Sequence, residues 1–500
     1  MTADARADAT LDVVQEAHVR RWCYEQGTSG FSLRRAELLP DPGDRSVPRV
    51  GPGGRVCVAV LSAADAALDG AARRGLLAAG ADQTVWLRSN DGRTFAERAE
   101  ALRVARPDLV VVLGGDPRHA DAVVELCEAF RSGCSDQSPV PRAVVTGDAR
   151  TTMRLHGPLA RFGVEVLPDP RRTDGHAALV GRARGFRRGT DTTLVLRDEA
   201  LEALASALAR DAVAPALVAD VAGATTALVH AAADGTVVAA HLSGIGVGRG
   251  ADTLVAWAGL DRVRRWIPRT VDAPGLLERV FNRARWPDAI AADELTLSLE
   301  IALAHEALSH ALDDAAAAGL PVATFRRAKV IALTGRAADL PRLAQSLLIV
   351  LDAIQPTAVC SVLRDREDAL VAIGGLQVRA PGDGGPAGMR WLAAEVGARR
   401  QPLALVAPLG RGATLRVVSD GVRHDERIAR GTLRMLPYTG PVELSARGTR
   451  LRGRGVTGPL GLVVDARGWP LRLPTRDAER VPLVAGWSAS LGALPGKARS

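Results

Sequence analysis

The sequence predicts an α/β protein built on a doubly wound parallel sheet, with a small β-rich module at the C-terminal end. Three observations carry this. Between residues 55 and 185, apolar runs of about four to six residues alternate with helical stretches of about 10–15, the pattern of parallel strands covered on both faces. The alternation resumes from Thr192 to about Gly375, and after residue 400 short Val/Leu runs separated by Gly, Pro and Arg-Gly replace it. The 500 residues, 47% apolar and 24% charged, have a globular balance. That length accommodates about three domains, each able to bury its own core.

Residues 1–54 open with a helical pattern from Leu11 to Tyr24 and continue into LLPDPGDRSVPRVGPGG, where Pro, Gly and Asp accumulate, so they are expected to be an N-terminal extension and linker. Residues 55–185 carry the strands RVCVAVLSA (55–63), TVWL (84–87), DLVVVLGGD (108–116) and RAVVTGD (142–148), with helices between them. In residues 186–399 a helix at 198–210 precedes the strands ALVADVAG (216–223) and TVVAAHLSG (236–244). A long helical region from Ala292 to Ala318, the strand KVIALTG (329–335), a helix to about Ile354 and a strand ALVAIGG (369–375) follow. Residues 400–500 are expected to form the β-rich module.

The chain has 64 Lys+Arg against 56 Asp+Glu, a net charge of +8, and lysine occurs only at Lys329 and Lys497. Arginine is interleaved with Asp and Glu rather than clustered with aromatics, which argues against nucleic-acid binding. The cysteines Cys23, Cys57, Cys127, Cys134 and Cys360 form no CxxC pair and read as reduced thiols. The N-terminus carries acidic residues where a signal peptide has a basic region, and no charge-free apolar run approaches the roughly 18 residues of a membrane span. A cytoplasmic protein without a membrane partner is expected.

The most informative stretch is DVAGATTALVHAAADGTVVAAHLSG (220–244). A strand ends in Asp220 and a small-residue turn leads through Thr225 and Thr226 into a strand that pairs back. An acid at the mouth of such a turn can hold hydrated Mg²⁺ while main-chain N–H groups approach a phosphate; an ordinary β-hairpin whose Asp and Thr satisfy local backbone is an equal alternative. LGGDPRH (113–119) reads as a strand-to-helix turn with Asp116 as cap, and Asp148 in TGDAR caps the next helix. SGIGVGRGAD (243–252) resembles a dinucleotide fingerprint but lacks its downstream acid, so it is either a loop over a ligand or a plain connection. His305 and His310 stand five apart and do not share a face, and Glu300 and Glu306 read as a solvated helix face. No GxSxG, P-loop or kinase signature is present.

The blocks RVCVAVLSAADAALDGAARRGLLAAGADQTVWL, RPDLVVVLGGD, VPRAVVTGDA, FGVEVLPDPR and LVADVAGATTALVHAAADG occur in an order and spacing that resemble the MutL/GlmL family, the accessory proteins of glutamate (methylaspartate) mutase. The resemblance spans residues 51–376 and is most specific at DVAGATT. It implies an actin/Hsp70-like (ASKHA) nucleotide-binding architecture interrupted by the 55–185 domain, with ATP and Mg²⁺ as cofactors. It also implies a role as a reactivating chaperone for an adenosylcobalamin-dependent mutase subunit. By that resemblance Asp220 positions Mg²⁺ and its water, Gly223, Thr225 and Thr226 approach the phosphates, and Thr334 and Gly335 form the adenosine-side turn. The sequence departs from the family pattern too. No DxGST-type first phosphate loop is found in residues 1–54, Ala222 replaces the second glycine of the second loop, Ala227 replaces an acid, and Arg336 follows Gly335 where a glycine is usual. These losses point to a second function class, a non-catalytic scaffold that keeps the fold without ATP hydrolysis.

Overall fold

The computed structural model describes residues 8–15, 18–27, 30–39, 49–114, 117–146, 149–379, 402–410 and 412–494. Its N-terminal strands β1 (Asp8–Gln15), β2 (His18–Gly27) and β3 (Gly30–Leu39) form an antiparallel meander, and β4 (Arg49–Gly51) runs parallel to β1. The helix expected from Leu11 to Tyr24 is therefore not formed, and the described residues between 8 and 51 belong to a sheet rather than to an extension and linker. The physical reason lies in Leu11 and Val13, two apart and so on one face of a strand, which are both buried in a core supplied by distant elements. The Pro/Gly-rich residues 40–48 lie outside the described residues.

The inserted domain follows with β5 (Cys57–Ser62), β6 (Asp82–Arg88), β7 (Leu109–Leu113), β8 (Arg142–Thr146) and β9 (Val164–Leu167), all parallel in the order β6-β5-β7-β8-β9. This is the flavodoxin-like doubly wound order. Alternate residues of each strand face opposite sides: Val58 and Val60 enter one core cluster, Ala59 and Leu61 the other. Asp65 and Thr94 cap helices here, Thr94 in a reciprocal pair with Glu97. The expected caps Asp116 and Asp148 lie outside the described residues. The chain leaves by the Thr173–Arg188 helix into β10 (Leu194–Leu196), which pairs with β4 and completes a first sheet in the order β3-β2-β1-β4-β10.

The same order is then built again. β11 (Ala216–Val221), β12 (Thr225–Ala231) and β13 (Val237–Ser243) form a meander, and β14 (Val330–Gly335) and β15 (Cys360–Arg364) add in parallel beyond β11, giving β13-β12-β11-β14-β15. The segment ALVAIGG, expected as a strand, lies in the Ala369–Arg379 helix. A short apolar run does not by itself separate buried helix from buried strand. Here Asp365 decides, since its carboxylate accepts the main-chain N–H groups of Leu370 and Val371 and starts the helix.

Residues beyond 402 are strand-rich but do not stand apart. Of β16 (Pro402–Pro408), β17 (Ala413–Ser419), β18 (Val422–Ile428), β19 (Leu433–Leu436), β20 (Pro441–Ala446), β21 (Arg452–Val456) and β22 (Leu462–Asp465), three (β16, β22 and β19) extend the second sheet. The other four form a separate sheet, and a helix absent from the sequence reading, Asp477–Ser490, closes the chain.

Two helices, Arg197–Ala212 and Ala369–Arg379, are sandwiched between the twin sheets. Leu11 and Val50 from the first sheet, Val218 and Ala332 from the second, and Leu204 and Ile373 from the two helices share one cluster. Each buried Leu, Ile or Val there contributes about 1.5–3 kcal/mol relative to exposure. Two like-ordered sheets around a shared helix pair, opening on a cleft, are the actin/Hsp70-like layout. No helix among the described residues is long and apolar enough to cross a membrane.

Candidate functional site

The cleft opens where the two sheets face each other and measures about 500 Å³. Val14 and Arg20 line it from the first sheet; the second supplies residues 222–225 between β11 and β12, residues 335–341 after β14 and residues 366–368 after β15. The ends of parallel strands deliver these loops, the usual place for a ligand in an α/β sheet.

At its floor Asp220, buried, accepts from Arg197 Nη2 at 2.6 Å and Nε at 3.0 Å and from the Thr334 hydroxyl at 2.5 Å. The opposite edge of the same guanidinium holds Asp368, Nη2 to Oδ1 at 2.7 Å and Nη1 to Oδ2 at 2.9 Å. Arg197 thus lies between two carboxylates and occupies all four of their oxygens. Burial alone would lower its pKa, but Asp220 and then Asp368 outweigh that and hold it well above the ordinary arginine value. Mg²⁺ does not fit this donor set. A divalent ion needs open carboxylate oxygens and water positions, and here a fixed guanidinium already supplies the positive charge.

Gly335 is fixed by geometry. Its φ is +71°, and a Cβ would lie 2.6 Å from the Val221 carbonyl oxygen. Its N–H donates to Asp368 Oδ1 at 3.3 Å, which ties the β14 turn to the acid on the other wall. Glu367 and Asp368 take left-handed φ values of +62° and +59° although neither is glycine, a strain that the contacts of both side chains sustain. Glu367 Oε2 accepts from Arg20 Nη1 at 3.0 Å, so an ion pair crosses the cleft between the two sheets. Burial, and then Asp368, push the neighbouring Asp365 pKa well above the carboxylate range.

The second-loop residues separate into two kinds. Gly223 and Thr225 line the cleft, and Thr225 makes no side-chain hydrogen bond among the described residues. Thr226 points away: fully buried, it donates to the Ile245 carbonyl at 2.9 Å and anchors the glycine-rich segment beneath the loop. That segment is a connection packed backbone to backbone. The N–H groups of Gly248 and Gly250 donate to the Gly223 carbonyl, and a Cβ on Gly246 would meet that oxygen at 2.5 Å. Its one exposed side chain, Arg249, reaches the cleft wall. Arg336 bonds the Pro287 carbonyl and lies 3.5 Å from Glu300, closing the side where the family pattern has a glycine.

The structure brings Gly223, Thr225 and Gly335 to the cleft lining, buries Asp220 and Thr334 beneath its floor under Arg197, and leaves Thr226 behind it. The sequence reading missed Asp12, Arg197 and Asp368. Asp12 sits in β1 at the strand position that Asp220 has in β11, opposite Arg49 as Asp220 is opposite Thr334, and Arg21 holds both of its oxygens at 2.7 and 2.8 Å. The acid of a first loop is therefore present in the sheet, but β1–β2 pairing continues to Gln15 and His18, and VVQEAH (13–18) offers neither glycine nor hydroxyl. Glu306 is not on a solvated face; it is fully buried and accepts from Trp266 Nε1 at 2.7 Å and Arg265 at 2.9 Å. Glu300 is half-buried, held by Arg283 at 2.5 Å. Both turn inward because the Glu294–Ala317 helix is buried on most of its circumference.

No protein-family model matches the chain and no curated protein matches it. Similar solved structures include a PilM–PilN type IV pilus biogenesis complex, at 15% identity over 78% of this chain and 98% of that one, with a TM-score of 0.26. A carbohydrate kinase from Novosphingobium aromaticivorans matches at 12% identity over 76% and 92% of the two chains, with a TM-score of 0.27. The Aquifex aeolicus PPX-GPPA enzyme matches at 10% identity over 79% and 93%, with a TM-score of 0.21. The fold assignment rests on the chain's own strand order.

Proposed function

We propose that this chain is an accessory protein of an adenosylcobalamin-dependent mutase of the glutamate-mutase type, and that it works as a ligand-responsive scaffold rather than as a magnesium-dependent ATPase. The mutase partner rests on the sequence resemblance. The non-hydrolytic reading rests on one observation, the Arg197 guanidinium that fills the space between Asp220 and Asp368. What survives of the cleft suits an anionic nucleotide: Arg249 and Arg366 are exposed at its edge, and Thr225 offers a hydroxyl beside the second-loop backbone. Leu297, Leu340 and Pro341 form an apolar wall for a base.

The test is calorimetric titration with ATP, once in Mg²⁺ and once in EDTA, alongside an assay of phosphate release. Binding that EDTA leaves unchanged, without turnover, supports the proposal; Mg²⁺-dependent binding with phosphate release overturns it. Co-purification of a tagged chain with a cobalamin-dependent mutase subunit tests the partner, and its failure in the native host removes that assignment while leaving the cleft reading intact.

A further inference from the structure

A second cavity, of about 480 Å³, opens on the far side of the second sheet's lobe. It lies between the Leu260–Arg264 helix, the Glu294–Ala317 helix and the segment 471–475 that leads into the C-terminal helix. Four guanidinium groups border it, those of Arg262, Arg264, Arg265 and Arg480, against two carboxylates, Asp261 and Asp352. Asp352 is already taken by buried Arg467 at 2.5 Å, and burial raises its pKa, while Arg480 Nη2 is paired with Asp477 at 2.7 Å and leaves its Nε edge toward the cavity to be satisfied. Arg262 and Arg265 lean on Glu306, while Arg264 has no close partner: its nearest carboxylates, Asp477 and Asp261, stand 3.8 and 3.9 Å away.

His305 forms the floor. It is 2% exposed, its ring is tilted by 37° against Trp266 with centroids 3.7 Å apart, and neither ring nitrogen makes a well-formed hydrogen bond, although the Asp352 main chain lies close by. Burial, then Arg265 and Arg467, hold its pKa well below the ordinary value, although the Asp352 main chain favours the charged form. The ring is therefore neutral at pH 7, with one donor and one acceptor to offer. The Nε atoms of Arg265 and Arg480 are likewise buried without partners. Buried donors that lack acceptors cost about 1–3 kcal/mol each, so their gathering around one cavity marks a place built to receive acceptors.

We infer that this cavity is a binding site for a small organic oxyanion, its charged oxygens held by Arg264, Arg480 and His305 and its carbon skeleton lying against Trp266, Leu471 and Leu473. The shared chemistry is the oxyanion, which a phosphate ester or a carboxylate supplies equally. Wall and strap differ in origin. Arg264 and Trp266 come from the second lobe, Arg480 and the leucines from the C-terminal segment, which the Gln355 side chain pins by accepting the Leu471 N–H at 2.9 Å. Binding therefore also tightens the C-terminal helix onto the lobe.

The experiment is titration of the full chain with glycerol phosphate and, separately, with citrate, followed by calorimetry and by indole fluorescence. Saturable binding of either is expected, with the stronger of the two naming the oxyanion. It should weaken about tenfold or more in Arg264→Ala and in His305→Gln, as expected for loss of a charge-assisted or buried hydrogen bond. It should remain unchanged in Arg249→Ala, which alters only the nucleotide cleft. Arg264 is partly exposed and loosely paired, so Arg264→Ala is the variant that keeps the fold, checked by an unchanged melting temperature without ligand. No saturable signal from either probe up to about 10 mM, or full affinity retained in folded Arg264→Ala, overturns the inference. Loss of binding in Arg249→Ala instead assigns the signal to the cleft and overturns it as well.

Discussion

The Arg197 guanidinium grips both oxygens of Asp220, at 2.6 and 3.0 Å, at the end of strand β11. A buried ion pair of this kind is worth little against a hydrophobic replacement of both partners, but breaking one side strands a charge. Arg197→Met leaves Asp220 and Asp368 facing each other unpaired, and a loss of about 3–5 kcal/mol is expected. The variant should also gain what the parent lacks. Its melting temperature is expected to rise with millimolar Mg²⁺ while that of the parent does not, and equal responses in the two would refute the view that Arg197 takes the metal's place.

Gly335→Ala places a methyl group 2.6 Å from the Val221 carbonyl oxygen at a φ of +71°. Left-handed φ alone costs about 1 kcal/mol, and the clash adds to it. Chemical denaturation should show a loss above about 1 kcal/mol, with the Asp368 contact weakened because the Gly335 N–H moves with the turn. A variant as stable as the parent would mean that the β14 turn is not held as described.

Arg187 joins three parts of the chain. Its guanidinium bonds Asp198 and the carbonyls of Ala79, at 2.7 Å, and Pro52, and Arg187, Asp198 and Ala79 are nearly excluded from water. Beside it Arg184 meets Glu202, which also faces His241 at 3.3 Å, and the Ser243 hydroxyl bonds Gly80 O at 2.7 Å. Arg187→Ala should cost about 3 kcal/mol or more and free the inserted domain from the lobe beneath. Limited proteolysis is the readout, with cleavage near residues 52–55 and 189–193 at least several-fold faster than in the parent.

Stability should fall in mild acid through two buried imidazoles. Burial, and then Arg265, depress His305 well below 6.5; burial, opposed by Asp313, depresses His310 to about 4, where it stacks on Trp257 at 3.5 Å near Asp314. The unfolded chain takes up these protons near pH 6.5, whereas folded His310 takes its proton only near pH 4 and folded His305 only well below its ordinary value. The stabilisation is thus complete above pH 6.5 and drains away as the pH drops toward 4. Urea midpoints between pH 7 and pH 5 should show it. His310→Gln should flatten the slope by about one proton's worth, about 1.4 kcal/mol per pH unit at most. An unchanged slope would mean that the ring is accessible to protons when folded.

Much of the inserted domain was legible in sequence, because its strands are continuous Val/Leu runs whose helices begin at readable caps such as Thr94 and Asp65. The DVAGATT turn was legible for a similar local reason: an acid at a strand end followed by small residues and hydroxyls. β1 to β3 were not. Their apolar spacing at Leu11, Val13 and Val14 suits a helix or a strand, and the choice was made by partners as distant as Val50 and Ile373.

By itself the sequence determined the α/β class, the doubly wound insertion and the acid-bearing turn at Asp220, since each depends on residues close along the chain. Only the tertiary structure decided what that acid does. Arg197 reaches Asp220 across 23 positions and Asp368 across 171, and no local pattern records that one guanidinium will stand between two buried carboxylates. The positive charge that faces the two buried acids is here built into the fold as a guanidinium that satisfies all four of their oxygens.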